Sequence, residues 1–381
     1  MQTKETKAQT AERLKQEKNP WECLEEIRSF ARGGYDAVPP EWVGTYLRWW
    51  GVYPQGDGQG VLGGKGGVGK TVPYFMLRIR IPNGLLYSHQ LRTIAGISEE
   101  FGRGLADITV RQNIQLHWIE AEALPEIFER LFRARLTTLS ACGDDARNIT
   151  GCPLAGVDSE EICDTSSLVM RATDLLVGNP EFYNLPRKYK ISITGCRSWC
   201  CYPEINDVAL TATPRRRGGE EEMGFSLRVA GALSSEPFLA RKLNVFVGWN
   251  QVTDVILAMT GIFRDSEVLR QHRERARMKY LFKQHGWTEE RFQEEVEQRI
   301  GYKLDPAEPE EVPADVFRDH VGIHRQKQAG YCYVGVSVLR GRTNSDQLLA
   351  AAELADRYGS GELRTTITQN LAIVNVPEGR A

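Results

Sequence analysis

What the chain lacks narrows its class before any motif is read. No uncharged apolar run approaches the ~20 residues that span a bilayer, which argues against a membrane-embedded helical protein. The N-terminal MQTKETKAQTAERLKQEK has no apolar core of the kind a secretory signal carries. Neither sign of charge is in excess: 48 Lys and Arg against 50 Asp and Glu give a net charge of -2, so nothing marks a nucleic-acid-coating or membrane-bound surface. No flavin or nicotinamide fingerprint is visible. These absences place the chain in the cytoplasm with no nucleic-acid or membrane partner, its eight cysteines reduced or metal-bound rather than paired. With 381 residues, 41% hydrophobic, it has enough material for two or three domains.

The polar stretch DITVRQNIQLH (107–117) organises the rest. Read with a period of two, Ile108, Val110, Ile114 and Leu116 form a dry face, and Thr109, Arg111, Asn113, Gln115 and His117 an opposite face of hydrogen-bond donors. Such a face suits carboxylates or an oxyanion; the plainer alternative is the exposed side of a half-buried antiparallel sheet. Upstream, FMLRIRIPNG places Leu77, Ile79 and Ile81 on one face and Arg78 and Arg80 on the other. Gly64, Gly69, Lys70 and Thr71 satisfy the phosphate-loop spacing of an ATPase, but TVPYFMLRIRI after them reads as a strand where the motif requires a helix. Lys188 and Lys190 share one face if LPRKYKISITG is a strand, with a solvated edge strand as the plainer reading. Residues 1–18 read as a frayed helix, and Trp42, Trp49 and Trp50 as an aromatic collar. Arg264 to Tyr302 reads as a charged, solvated helical element, and DPAEPEEVPAD as a linker.

After that linker the chain repeats itself at an offset of 257 residues, Tyr74–Glu120 falling on Tyr331–Pro377 without a gap. Gly84 falls on Gly341, Ser88 on Ser345, and Gln112-Asn113 on Gln369-Asn370. The polar face is not shared: Arg78, Arg80, Arg111 and Gln115 fall on Gly335, Ser337, Thr368 and Ala372. Purely structural arginines would not be lost from one copy alone, so the first copy is expected to carry an anion site.

Taken together, FMLRIRIPNG, DITVRQNIQLHW, ARNITGCPLAGVD, LPRKYKISITGC and YGSGELRTTITQN resemble, in order and spacing, the sirohaem-dependent nitrite and sulfite reductases. The resemblance runs from about Trp42 to the end. It implies an α+β fold, a ferredoxin-like domain built from two pseudo-symmetric repeats beside an α/β sirohaem-binding domain. The expected division is a collar at 1–72, half-domain copy one at 73–136, a sirohaem/4Fe-4S-type domain at 137–303, the linker at 304–325 and half-domain copy two at 326–381. It further implies six-electron reduction of sulfite to sulfide or nitrite to ammonia, with electrons from ferredoxin or another donor. Arg78, Arg147, Lys188 and Lys190 would surround the substrate; Thr109, Arg111, Gln115 and Arg187 would hold sirohaem carboxylates. Lys190 stands where plant-type nitrite reductases tend to have Asn, and the extra cation inclines the reading towards dianionic sulfite.

In the family the four cysteines of the 4Fe-4S cluster belong to the second half, and this chain ends before that region. It is therefore read as a truncated or fragmentary reductase, with a non-catalytic sirohaem-binding half-protein or one subunit of a split enzyme as alternatives. By pseudo-symmetry Cys142, Cys196 and Cys200 stand where cluster ligands would, Asn148 takes the remaining place, and Cys152 and Cys201 are near in sequence. The plainer reading makes these cysteines buried small hydrophobes left from the duplication.

Overall fold

Alternation along TVPYFMLRI produces a strand whose Phe75, Leu77 and Ile79 are fully buried while Met76 and Arg78 stay partly accessible. The computed structural model to which this strand belongs describes residues 5–57, 69–234, 236–310, 312–313 and 318–381. The chain forms two compact units, Glu17–Gly143 with His320–Ala381, and Met1–Gln16 with Asp144–Asp319. Helices and sheets both contribute to each, as an α+β fold requires.

The first repeat supplies β1 (Val52–Gly56), β2 (Thr71–Ile79), β3 (Leu85–Tyr87), β4 (Leu105–Ile108) and β5 (Ile114–Ile119). The helix Ser88–Phe101 connects β3 to β4 and buries Leu91, Ile94, Ala95 and Ile97 at helical spacing. The single strand expected over 107–117 is instead two strands and a tight turn. Thr109 N–H donates to Asn113 O at 2.9 Å, Gln112 N–H to Thr109 O at 2.9 Å, and Gln112 adopts φ 59°. The Thr109 hydroxyl accepts from the N–H groups of Arg111 and Asn113, the local side-chain chemistry that turns a strand back. Val110, expected on the dry face, sits in the turn with 60% of its surface exposed. The phosphate-loop reading also fails: Gly64 lies outside the described residues, but Thr71 opens β2, so no helix N-terminus follows the motif to receive phosphates.

The unit Met1–Gln16 with Asp144–Asp319 is built on β6 (Ile191–Thr194), β7 (Val208–Arg217), β8 (Glu220–Val229) and β9 (Arg241–Gly248), hydrogen-bonded in that order, β6 parallel to β7 and the others antiparallel. Helices Ser166–Leu176 and Val252–Arg264 pack with the sheet into one apolar core. Two expectations are corrected here. The N-terminal segment forms a helix, Lys7–Glu17, whose Lys15 is fully buried, donating to Leu185 O at 2.9 Å and pairing with Glu12 at 2.5 Å. Nor is Arg264–Tyr302 merely a solvated face, since Leu269, Met278, Leu281, Phe292 and Val296 belong to the core. The acidic stretch read as a linker is anchored by Glu310, which accepts from Arg228 at 2.9 Å and from the Thr211 hydroxyl at 2.7 Å.

The second repeat supplies β10 (Gly322–Arg325), β11 (Tyr331–Val336), β12 (Arg342–Asn344), β13 (Glu362–Thr365) and β14 (Leu371–Pro377). The 257-residue offset holds at the level of single backbone angles. Asn83 and Arg340 have φ 54° and 55°, Gln112 and Gln369 59° and 66°, Trp118 and Asn375 63° and 58°. Each copy lends its short strand to the other's sheet, giving the orders β1-β2-β5-β4-β12 and β10-β11-β14-β13-β3. Among the described residues no helix is long and apolar enough to cross a membrane.

Candidate functional site

In the unit Glu17–Gly143 with His320–Ala381, β2 and β5 are paired so that Arg78 stands opposite Gln115. The Gln115 side-chain oxygen accepts from Arg78 Nε at 2.9 Å, and Arg78 also reaches Cys142 Sγ at 3.2 Å. A guanidinium fixed by a neutral amide and a thiol keeps its charge uncompensated by those partners, which suits it to attract an anion. Further along the same face His117 bonds Asp107 at 2.7 Å, and Arg342 donates to the same carboxylate at 3.0 Å. Burial tends to raise the Asp107 carboxyl, but these two donors outweigh it and hold it below its ordinary value. Thr109 and Arg111 lie in the turn between β4 and β5, both partly accessible. Arg80, by contrast, is buried, its N–H donating to Thr137 O at 2.8 Å.

The other unit gathers the second group of cations. Segment 145–150 runs parallel to the approach to β6, bridging Ala146 to Tyr189 and Thr150 to Ser192. Arg147 N–H donates to Tyr189 O at 2.8 Å, so the loop bearing Arg147 is tied to the segment that bears Lys188 and Lys190 and leads into β6. Tyr189 between the two lysines is fully buried and stacks on Phe263. The lysines flank that buried ring and remain partly accessible, in a segment that precedes β6 and pairs only through the isolated bridge at Tyr189, where a strand was expected. Burial pushes the Lys188 ammonium down to about 8, and Arg277, Arg147 and Arg187 act the same way against Asp207.

Two buried carboxylates organise this basin, and neither was legible as functional in the sequence. Asp207 is fully buried and takes Arg277 through contacts of 2.8 and 3.0 Å, while accepting the Lys190 N–H at 2.8 Å. Asp144 pairs with Arg273 at 2.7 Å and faces Arg187 at 3.9 Å and Lys15 at 3.7 Å. Burial opposes its ionisation, but Arg273, Lys15 and Arg187 hold the carboxyl below its usual value. Arg273 and Arg277 come from the stretch read as surface helix. A usable signal was there, the apolar residues Met278, Tyr280, Leu281 and Phe282 clustered inside a charged segment.

Three thiols converge in the same unit. Cys152 Sγ lies within 4.8 Å of Cys196 Sγ, with an Asp158 oxygen inside the same distance, and within 4.8 Å of Cys200 Sγ. All three cysteines are buried. The partner that the fold gives Cys196 and Cys200 here is therefore Cys152; Cys142 belongs to the other unit, where its sulfur meets Arg78.

Residues 142–304 match the nitrite and sulphite reductase 4Fe-4S domain, and residues 68–133 with 324–381 match the nitrite/sulfite reductase ferredoxin-like half domain. The chain is 36% identical to an assimilatory ferredoxin-dependent nitrite reductase of Haloferax mediterranei, covering 93% of this chain and 62% of that protein. It is 38% identical to a ferredoxin–nitrite reductase of Leptolyngbya laminosa, covering 95% and 68% respectively. Against a sulfite reductase (ferredoxin) of Mycobacterium tuberculosis it is 38% identical, covering 96% and 65%. The solved structure of the Mycobacterium tuberculosis NirA protein superposes with a TM-score of 0.89 at 37% identity, over 97% of this chain and 67% of that one. The chain thus spans about two thirds of the length of the relatives it matches. With two family domains in register and relatives this similar over nearly its whole length, the chain belongs to the sirohaem-dependent nitrite and sulfite reductase family.

Proposed function

We propose that the chain binds sirohaem and a small oxyanion and serves in the cytoplasm as an assimilatory nitrite/sulfite reductase, taking sulfite to sulfide or nitrite to ammonia with six electrons from ferredoxin or another donor. The observation that carries the reading is Lys188, an ammonium held near pH 8 among Arg147, Arg187 and Arg277. Each oxygen removed from the substrate leaves as water and needs two protons. A lysine poised near neutrality supplies such protons far better than one at its ordinary 10.5.

The donor set fits a polycarboxylate macrocycle. Arg78 and Gln115 are already aligned across β2 and β5, and Arg111 and Thr109 sit in the adjoining turn. Arg187, partly exposed, adds a cation in the other unit. Sirohaem, if held by these residues, would supply the redox-active iron for the reduction. The protein's own work is electrostatic: Arg78, Arg147, Lys188 and Lys190 offset the negative charge of the oxyanion and hydrogen-bond its departing oxygens. The Asp207–Arg277 pair holds the Lys190 backbone and so fixes the segment before β6 that presents both lysines. Lys190 itself adds a cation that favours dianionic sulfite over monoanionic nitrite.

The test is expression of the chain with sirohaem synthesis, followed by sulfite and nitrite reduction with a chemically reduced viologen as donor. Lys188→Met is expected to keep the pigment and lose on the order of 100-fold in kcat. Arg111→Ala is expected to lose pigment. Full turnover by Lys188→Met would end the proton-donor assignment, and pigment without turnover in the unaltered chain would point to a non-catalytic sirohaem-binding protein.

A further inference from the structure

The converging thiols are used nowhere in the chemistry described so far. Two loops deliver them. Cys152 follows Thr150, which bridges Ser192 of β6, and Cys196 and Cys200 lie in the loop that leaves β6 at Thr194. The second loop is closely determined. Gly195 passes so near the Cys163 backbone that a Cβ there would stand 1.9 Å from Cys163 O, and Trp199 and Tyr202 take left-handed φ values of 47° and 50°. Arg228, itself held by Glu310, lies over the Trp199 ring at 4.4 Å.

The sulfurs face one another, Cys152 Sγ lying within 4.8 Å of both Cys196 Sγ and Cys200 Sγ, and buried thiols gathered this closely are a donor set for iron–sulfur clusters. Asp158 is close enough to be a fourth ligand, but both its oxygens accept from Arg318, at 2.9 and 3.1 Å, and one also takes the Glu160 N–H. Cys201, next in sequence, is turned instead towards the hydroxyls of Thr194 and Ser192.

We propose that Cys152, Cys196 and Cys200 are three thiolate ligands of an iron–sulfur cluster held within the unit Met1–Gln16 with Asp144–Asp319. This deepens the family reading by assigning ligands in this chain itself, and leaves one iron open to a ligand from outside the three. On assembly each thiol gives its proton to solvent as its Sγ–Fe bond forms; two ferrous ions, two ferric ions and four sulfides supplied from outside make up the core with no further electron transfer. Cys142, an alternative by sequence symmetry, is not in the set.

The experiment is anaerobic reconstitution of the full chain with equal amounts of ferrous and ferric iron and with sulfide, without sirohaem or substrate, so that the result is independent of reductase activity. The expected product carries about four iron and four sulfide per chain and gives an electron paramagnetic resonance signal after dithionite reduction. Cys152→Ala, Cys196→Ala and Cys200→Ala each lose both, while Cys201→Ala, equally buried and adjacent, keeps them and controls for perturbed folding. Circular dichroism melts show whether each variant is folded. The assignment is overturned if folded Cys152→Ala retains the cluster, if Cys142→Ala is the variant that loses it, or if the chain takes up one zinc per molecule and no iron with sulfide.

Discussion

Replacing Lys188 by methionine should make the cofactor-free protein more stable at neutral pH, although it removes the residue on which the proposed chemistry depends. The folded chain holds this ammonium at about 8 against an ordinary 10.5. At about 1.36 kcal/mol per unit that fall corresponds to roughly 3 kcal/mol against folding, and because the side chain keeps some contact with solvent about half of it, ~1.5 kcal/mol, is expected to survive screening. The sign follows from proton binding. Below pH 8 both folded and unfolded chains carry the charge, and the folded one bears the full penalty. Between about 8 and 10.5 the folded chain has released the proton while the unfolded chain still holds it, so stability rises with pH and the penalty fades. Methionine has nearly the same length and no charge, so its curve lacks this rise. Urea unfolding of both proteins at pH 7 and pH 10 measures the difference. The expected result is a methionine variant more stable by ~1.5 kcal/mol at pH 7 and indistinguishable at pH 10. If the variant is less stable at pH 7, or if the difference does not change with pH, the electrostatic account of Lys188 is wrong.

Three further outcomes follow from particular contacts. Gly84 and Gly341 are equivalent, with φ 71° and 69°, and a Cβ would stand 2.2 Å from Thr365 O in one and 2.4 Å from Ile108 O in the other. Each alanine substitution should therefore lower unfolding free energy by about 2–3 kcal/mol, and by similar amounts in the two copies, as read from denaturant midpoints. Asp207→Asn leaves the Arg277 guanidinium buried without its carboxylate and should cost about 3–5 kcal/mol of stability. It also removes a charge that raises Lys188, so the lysine should titrate lower still in an NMR pH series. Lys190→Asn should shift the ratio of kcat/KM for sulfite over nitrite towards nitrite by on the order of tenfold, measured with both substrates in the sirohaem-loaded protein.

The repeat and the buried face of β2 were legible because both depend on side-chain period alone: Phe75, Leu77 and Ile79 are buried as the alternation requires. The turn at 109–113 was not, because Ile108 and Ile114 keep the same parity on either side of it and a count by two passes through without a break. The Thr109 side chain that makes the turn, and the Asn113 side chain that ties its far end to the Ile81 N–H, read equally well as the polar face of a strand. The cations flanking Tyr189 could be picked out, but not the acids between them. Asp144 and Asp207 are ordinary aspartates in sequence and gain significance only when Arg273 and Arg277, from a segment about seventy or more residues further on, fold against them. The grouping of Cys196 and Cys200 with Cys152 was hidden for a similar reason. Symmetry of the repeats points to Cys142, whereas the parallel bridge from Thr150 to Ser192 brings Cys152.

The loss of the cationic face from the second copy has a structural contribution as well as a functional one, and the two can be separated. In the first copy β2 and β5 present Arg78 opposite Gln115; the same ladder position in the second copy is Gly335 opposite Ala372. A Cβ on Gly335 would stand 1.7 Å from His320 O, so the chain itself passes where the arginine stem would leave the strand. Steric exclusion therefore accounts for glycine at 335, but it says nothing of why the first copy carries arginine there. If Arg78 is kept for anions, Arg78→Ala should lower stability by only about 1 kcal/mol, the net worth of its bonds to Gln115 and Cys142. Gly335→Ala should lower it by about 3 kcal/mol or more, because backbone must move to admit the methyl. Denaturant unfolding of the two variants decides the matter: a cost for Arg78→Ala equal to that of Gly335→Ala would make the arginine a structural residue and remove the argument from asymmetry.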